Sequence, residues 1–205
     1  MNDFTQQAGL FLSRIDPQWA ALVEQVGPCL HAPHPEREPY QALVRAVAYQ
    51  QLHARAAQAI MARMLALFPD TDFPTPEQLL GVPPETLRAC GFSGAKLATI
   101  RGVAQARLEG LVPSYEDALN MTDEELVEQL VTLKGIGRWT VEMMLIYTLA
   151  RMDILPADDL GVREGYRRLR HLEAPVTRKQ ITDAGAAWSP YRTIAAWYLW
   201  RVPVK

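Results

Sequence analysis

The spacing of apolar side chains is the feature that most constrains this fold. From Pro39 to Phe68 they fall at Tyr40, Leu43, Val44, Val47, Leu52, Ala56, Ala59, Ile60 and Met64, three and four residues apart. That spacing lays one apolar stripe along a helix. It recurs through most of the chain. No stretch alternates apolar with polar residues convincingly, and no strand–turn–strand pair stands out. Helix starts are well marked. Thr75-Pro76 offers an N-cap followed by proline at the first helical position. Thr122-x-x-Glu125 and Thr177-x-x-Gln180 have capping-box spacing, and Ser114 and Ser189 are further N-cap candidates. The pattern predicts an all-α chain of about ten helices.

Pro/Gly-rich breaks fall at Gly27–Pro39, Pro69–Pro76, Gly81–Pro84, Gly110–Ser114 and Leu155–Gly161. They predict a central helical lobe over 39–156, with N-terminal helices over 1–38 packing with a C-terminal lobe over 157–205. A chain of 205 residues buries a full core, and 49% hydrophobic with 21% charged residues is the composition of an ordinary soluble protein. No apolar run is long enough to span a bilayer. The opening MNDFTQQAGLFLSR lacks the basic and long apolar regions of a secretion signal, so a cytoplasmic location, or one with DNA, is expected. Cys29 and Cys90 are the only cysteines, which excludes a disulfide framework and a four-cysteine iron–sulfur site. His31, His34, His53 and His171 have no metal-ligand spacing, and His31 and His34 read as loop residues.

A net charge of −2 is not that of a typical nucleic-acid binder. Charge is unevenly placed, however. Lys134, Arg138, Arg151, Arg163, Arg167, Arg168 and Arg170 fall in one region, while acidic residues dominate Tyr115–Gln129. A local basic face binds phosphate even on a mildly acidic protein.

The segment Leu130–Val141 is the most informative. An apolar helix ends near Leu130, a turn carries Gly135 and Gly137, and a second helix begins near Gly137. Glycines let a backbone approach closely, and N–H groups at a helix start attract an anion. A DNA phosphate fits there without any reading of bases. A simple αα-turn with a glycine C-cap fits the same glycines.

Leu133-Lys134-Gly135-Ile136-Gly137-Arg138-Trp139-Thr140, followed by Leu155-Pro156-Ala157-Asp158-Asp159, resembles the helix-hairpin-helix superfamily of DNA glycosylases, within it the 3-methyladenine DNA glycosylase II branch. The resemblance runs from about Pro39 to Trp200 and includes Tyr49-Gln50-Gln51-Leu52, Phe73-Pro74-Thr75-Pro76, Gly91-Phe92-x-x-x-Lys96 and Trp188-x-Pro190-Tyr191-Arg192 in the family's order. Lys134 stands where proline is common. The resemblance implies a compact form without an N-terminal β-rich domain. The resemblance implies two helical lobes with a DNA-binding cleft between them, forming one monomeric unit that excises alkylated bases from damaged double-stranded DNA.

By the same resemblance Asp159 is the catalytic carboxylate. Breaking a base–sugar bond builds positive charge at the anomeric carbon, and a carboxylate stabilises that charge and orients or deprotonates a water. Asp158 and Asp159 also suit capping of a helix that begins near Leu160, and one could cap while the other serves chemistry. Glu142 is a weaker candidate, spaced for an i,i+4 surface ion pair with Arg138.

The family's bifunctional members carry a lysine where this chain has Trp139, which implies a monofunctional enzyme. Trp139, Met143 and Trp200 are base-pocket candidates, since an indole face attracts a cationic alkylated base; Trp200 is equally suited to the core. By the same resemblance Gln51, beside Gln50, takes the position that plugs the gap left by a flipped base. Two solvent-facing glutamines are the plainer reading. His53, Lys134, Gly135, Gly137, Arg138 and Thr140 complete the expected DNA-binding set, with His53 equally suited to be an ordinary surface histidine. The resemblance further implies a structural Na+ or K+ on the carbonyls of Val131, Leu133 and Ile136, and no other cofactor. Two other functions fit a hairpin: a non-catalytic DNA-binding protein, and a glycosylase for an oxidised or deaminated base. A pure binder has no need of Asp159.

Overall fold

The structure is a computed structural model that describes residues 3–204. Met1 and Asn2, the first residues of the stretch read for a secretion signal, lie outside the described residues, as does Lys205, the end of the expected C-terminal lobe. The helices are α1 (Asp3–Ser13), α2 (Pro17–Val26), α3 (Pro39–Tyr49), α4 (Ala54–Leu65), α5 (Pro76–Gly81), α6 (Pro84–Ala89) and α7 (Gly94–Leu108). They continue as α8 (Tyr115–Leu119), α9 (Asp123–Leu130), α10 (Arg138–Tyr147), α11 (Leu160–Leu169), α12 (Arg178–Gly185) and α13 (Arg192–Leu199), with a 3₁₀ turn at Ala186–Trp188. Among the described residues there is no strand, and the fold is all-α.

Among the described residues thirteen α-helices exceed the expected ten or so. Three of them, α5, α6 and α8, have only five or six residues, under two turns, and cannot repeat an apolar stripe. The stripe over Pro39–Phe68 also divides. Helix α3 stops at Tyr49, and Leu52, counted as core, is exposed in the link to α4. The link resets the phase: Ala57, Met61 and Met64 are the buried face of α4, while Ala56 and Ala59 are exposed.

The cap signals act as the sequence indicates at four of five positions. Thr75, Thr122 and Thr177 each form a reciprocal capping box, and Ser114 accepts the Asp117 N–H. Each such cap contributes about 1 kcal/mol. Ser189 does not cap. It precedes Pro190 through a cis peptide and donates its hydroxyl to Asp153 Oδ2 at 2.8 Å, while α13 begins after Tyr191 without a side-chain cap.

The chain divides into two units, Met1–Pro33 with Ala150–Lys205, and His34–Leu149. In the second, α3 packs on α4, α7 and α10, and α7 also takes α5 and α6. Buried Leu43, Val44 and Val47 of α3, Ile100 and Val103 of α7, and Val141 and Leu145 of α10 supply the apolar faces. Phe73 stands edge-on to Tyr40 at 5.8 Å with the Arg45 guanidinium over its ring, which anchors the segment entering α5.

In the first unit α1 packs on α2 and α13, and α11 on α2, α12 and α13. Its core joins Leu12, Trp19, Leu22, Val162, Ile181 and Trp188 to the buried run Ile194–Leu199. Trp19 meets Trp188 edge-on at 5.3 Å, a geometry worth about 0.5–1.5 kcal/mol beyond burial. Asp16 caps α2 and pairs with Arg170 at 2.6 Å. Burial pushes its carboxyl up, but the Arg170 hydrogen bond and charge, with the Trp19 and Gln18 N–H groups, hold it below the ordinary carboxylate value.

Candidate active site

The hairpin is built from the end of α9, a tight turn and the start of α10. Within the turn the Leu133 N–H donates to Leu130 O and the Ile136 N–H to Leu133 O, at 3.1 and 3.0 Å. Val131, Lys134, Gly135 and Gly137 are exposed, while Leu133 is half-buried and Ile136 buried. Gly135 has φ +86°, and a Cβ there would land on the Thr99 hydroxyl of α7. No other residue meets both demands, so this glycine fixes the turn against α7. Gly137 differs. It is the N-cap of α10 and brings no side chain, and a Cβ on it would meet nothing. The first-turn N–H groups of α10 are thus unscreened by a capping side chain, as an anion site requires.

Arg138 is turned onto carboxylates. Its guanidinium makes a bidentate pair with Glu124 at 3.0 and 2.7 Å and reaches Glu142 Oε1 at 3.2 Å. The Glu124 hydrogen bond holds its pKa above the ordinary arginine value. The i,i+4 pair with Glu142 forms as expected, but Glu142 is buried, not at the surface. The basic cluster is similarly engaged elsewhere: Arg167 and Arg168 lie against Glu164, and Arg170 against Asp16.

The link between α3 and α4 lies against this hairpin. Gln50 Nε2 donates to Thr140 Oγ1 at 3.1 Å and to Gly135 O at 3.4 Å. Gln51 is exposed with φ +55°, a left-handed conformation rare for a side-chain-bearing residue. Gln50 and Gln51 therefore occupy a turn after α3 has ended, not the continuous helix that the apolar spacing predicts. His53 is exposed at the N-cap of α4 and makes no side-chain cap. Trp139 and Met143, one turn apart on α10, are both half-buried.

Asp159 and Trp200 belong to the other unit, and the structure brings them together. Asp159 is the N-cap of α11, and its Oδ1 accepts the Val162 N–H and the Trp200 Nε1–H, both at 2.8 Å. The aspartate expected to do chemistry is therefore itself the cap. Asp158 is exposed and pairs with Arg178 at 3.6 Å, so the two aspartates do not divide the roles as the sequence allowed. Trp200 is half-buried, beside the carboxylate and packed against the core of its unit.

The segment leading to Asp159 is tied to α13. Thr193 Oγ1 donates to Arg151 O at 2.8 Å and accepts the Ile154 N–H at 3.1 Å. Arg192 grips both oxygens of Asp153 at 2.7 and 2.8 Å. Two glycines of α11 permit the approach. A Cβ on Gly165 would strike the Leu199 carbonyl, and one on Gly161 would stand 2.9 Å from the Trp200 ring. Sequence reasoning assigned no role to Gly161, Gly165, Thr99 or Lys96. The glycine pair four apart on one helix was a readable sign of a close helix crossing. Among the described residues no three His, Cys, Asp or Glu side chains gather as a metal-binding group, and no helix is long and apolar enough to cross a membrane.

Residues 44–190 match the sequence profile of the HhH-GPD superfamily base excision DNA repair protein. The chain is 44% identical over 198 residues to DNA-3-methyladenine glycosylase 1 of Schizosaccharomyces pombe, spanning 95% of this chain and 86% of that one. It superposes on the structure of an S. pombe 3-methyladenine DNA glycosylase in complex with abasic DNA with a TM-score of 0.89, 44% identity and 95% of each chain covered. A Bacillus halodurans DNA-3-methyladenine glycosidase aligns with a TM-score of 0.80 and 31% identity, covering 94% of this chain and 88% of that one.

Proposed function

The chain belongs to the HhH-GPD superfamily of base excision DNA repair proteins, and from that membership we propose that it is a monofunctional DNA glycosylase excising alkylated bases of the 3-methyladenine type from damaged double-stranded DNA. The observation that carries the chemical part is the hold on Asp159: a helix N-terminus and an indole N–H fix one oxygen of a carboxylate in the family's catalytic position.

A base stacked in a duplex is out of reach until the nucleotide is flipped. The first-turn amides of α10, past Gly135 and Gly137, take a backbone phosphate, with Lys134 adding charge at the exposed turn. Thr140 and Gln50 brace that turn from behind, and Arg138 ties α10 to α9 through Glu124. Gln51, presented outward on its left-handed turn, fills the gap in the stack, with His53 beside the same strand. Trp139 and Met143, one turn apart on α10, offer a π face and a thioether to the extruded base, which is a good leaving group when N-alkylation makes it cationic.

As the bond from the anomeric carbon to the base nitrogen lengthens, positive charge grows on the sugar. Asp159 stabilises it and accepts a proton from the water whose oxygen joins that carbon. The base leaves with the bonding electrons. Trp139 occupies the position of the lysine that attacks the sugar in bifunctional relatives, and an indole is no such nucleophile. Two cysteines do not ligate an iron–sulfur cluster.

The carbonyls of Val131, Leu133 and Ile136 share one tight turn, and a neutral all-oxygen donor set suits a hard monovalent cation such as Na+ or K+. Bound there, the ion would add positive charge where phosphate docks.

The test is product analysis. Incubation with methylated duplex DNA is expected to release free alkylated purines and leave abasic sites. Tight binding to that DNA with no base released would favour a non-catalytic hairpin protein instead.

A further inference from the structure

Lys96 stands in the first turn of α7, behind the Ser93 cap. That is an unfavourable place for a cation, because the helix dipole is positive there. The ammonium is also partly removed from water, and burial pulls its pKa below the ordinary lysine value. Two hydrogen bonds offset these costs. Lys96 Nζ donates to Ala48 O at 2.9 Å and to Gln50 O at 2.6 Å. These carbonyls lie at the C-terminal end of α3, where helical carbonyls have no partner within the helix and where a cation is favoured.

The next residue is Gln51, in its left-handed conformation. The main chain just before it is held by the Lys96 ammonium, and the Gln50 side chain is held by Gly135 O and Thr140 Oγ1 of the hairpin. The turn is thus clamped to α7 on one side and to the phosphate-binding element on the other. A strained residue persists only where its surroundings over-determine it.

We propose that Lys96 is a positioning residue for Gln51: by tying the carbonyls of Ala48 and Gln50 it ends α3 early and locks the following turn, so that Gln51 stands at a fixed register to the hairpin when DNA docks. The assignment rests on the reading of Gln51 as the residue that fills the vacated stack.

Lys96→Met keeps the apolar stem and removes the donor. In the free protein it is expected to speed amide exchange at residues 50–53 by about tenfold or more, with the amides of α7 and α10 unchanged. Single-turnover excision from duplex DNA should fall about tenfold, while excision from single-stranded methylated DNA stays within about twofold of wild type. Adding Gln51→Ala to Lys96→Met should slow duplex excision little further, since residues acting as one unit are not additive. Lys96→Arg keeps cation and donors, and serves if the methionine variant does not fold: partial protection and partial duplex excision are expected.

Unchanged exchange at 50–53, equal losses on duplex and single strand, or full additivity with a defective Gln51→Ala overturns the Lys96 assignment alone. Normal duplex excision by Gln51→Ala overturns the wedge reading beneath it.

Discussion

One oxygen of Asp159 serves two donors, the Val162 N–H that starts α11 and the Trp200 indole N–H. The two bonds make the carboxylate's orientation a property of the fold rather than of the substrate. Trp200→Phe keeps an aromatic face and deletes one donor to a charged acceptor, an interaction worth about 1.5–3 kcal/mol. Single-turnover excision is expected to fall about tenfold or more with little change in affinity for undamaged DNA, measured by quench-flow and fluorescence anisotropy. The register of Asp159 after the hairpin was legible in the sequence. Its bond to Trp200 was not, because only the crossing of α11 and α13 at Gly165 brings the two residues together. Gln51 shows the same limit. The apolar stripe argued for a continuous helix, and the group that caps α3, Lys96, comes from a helix far along the chain.

At the scale of elements, the hairpin was the most legible part. Local signals decide it: an apolar helix ending at Leu130, glycines at 135 and 137, and a helix from Arg138 all stand where the sequence put them. Of the short helices only two starts were legible, from the Thr75 and Ser114 caps of α5 and α8, since five or six residues leave no period to read. Gly135 links the hairpin to α7, and Gly135→Ala tests that link. The substitution adds left-handed strain of about 1–2 kcal/mol and an overlap with Thr99. Affinity for damaged and undamaged duplex should drop alike, by about tenfold, because phosphate contacts carry no base information. Thr99→Ala in the same chain removes the hydroxyl and methyl in the way, and should restore part of the loss. A loss confined to one damaged substrate would contradict a phosphate role.

For the whole molecule, a net charge of −2 seemed at odds with DNA binding. Much of the basic cluster is engaged by carboxylates, with Arg138, Arg167, Arg168 and Arg170 each facing Glu or Asp. Oriented amides at a helix start bind phosphate without a large positive field, which is all that the phosphate role proposed for α10 requires. The same chain-wide view bears on strand cleavage. By the family resemblance Trp139 stands at the lysine position, and Lys96 is committed to two carbonyls. Borohydride added during turnover is expected to trap no covalent protein–DNA adduct, and the abasic strand should stay intact until treated with alkali. An adduct formed as fast as base release would contradict the monofunctional mechanism.

The central claim is that Asp159 carries the chemistry, and Asp159→Asn tests it most directly. Asparagine caps a helix about as well as aspartate, so the fold and the start of α11 are retained. The measurement is single-turnover release of alkylated base from methylated duplex, paired with an affinity measurement on the same DNA. A fall in excision of about a hundredfold or more with binding preserved is expected. Excision at the wild-type rate by the folded variant would contradict the claim.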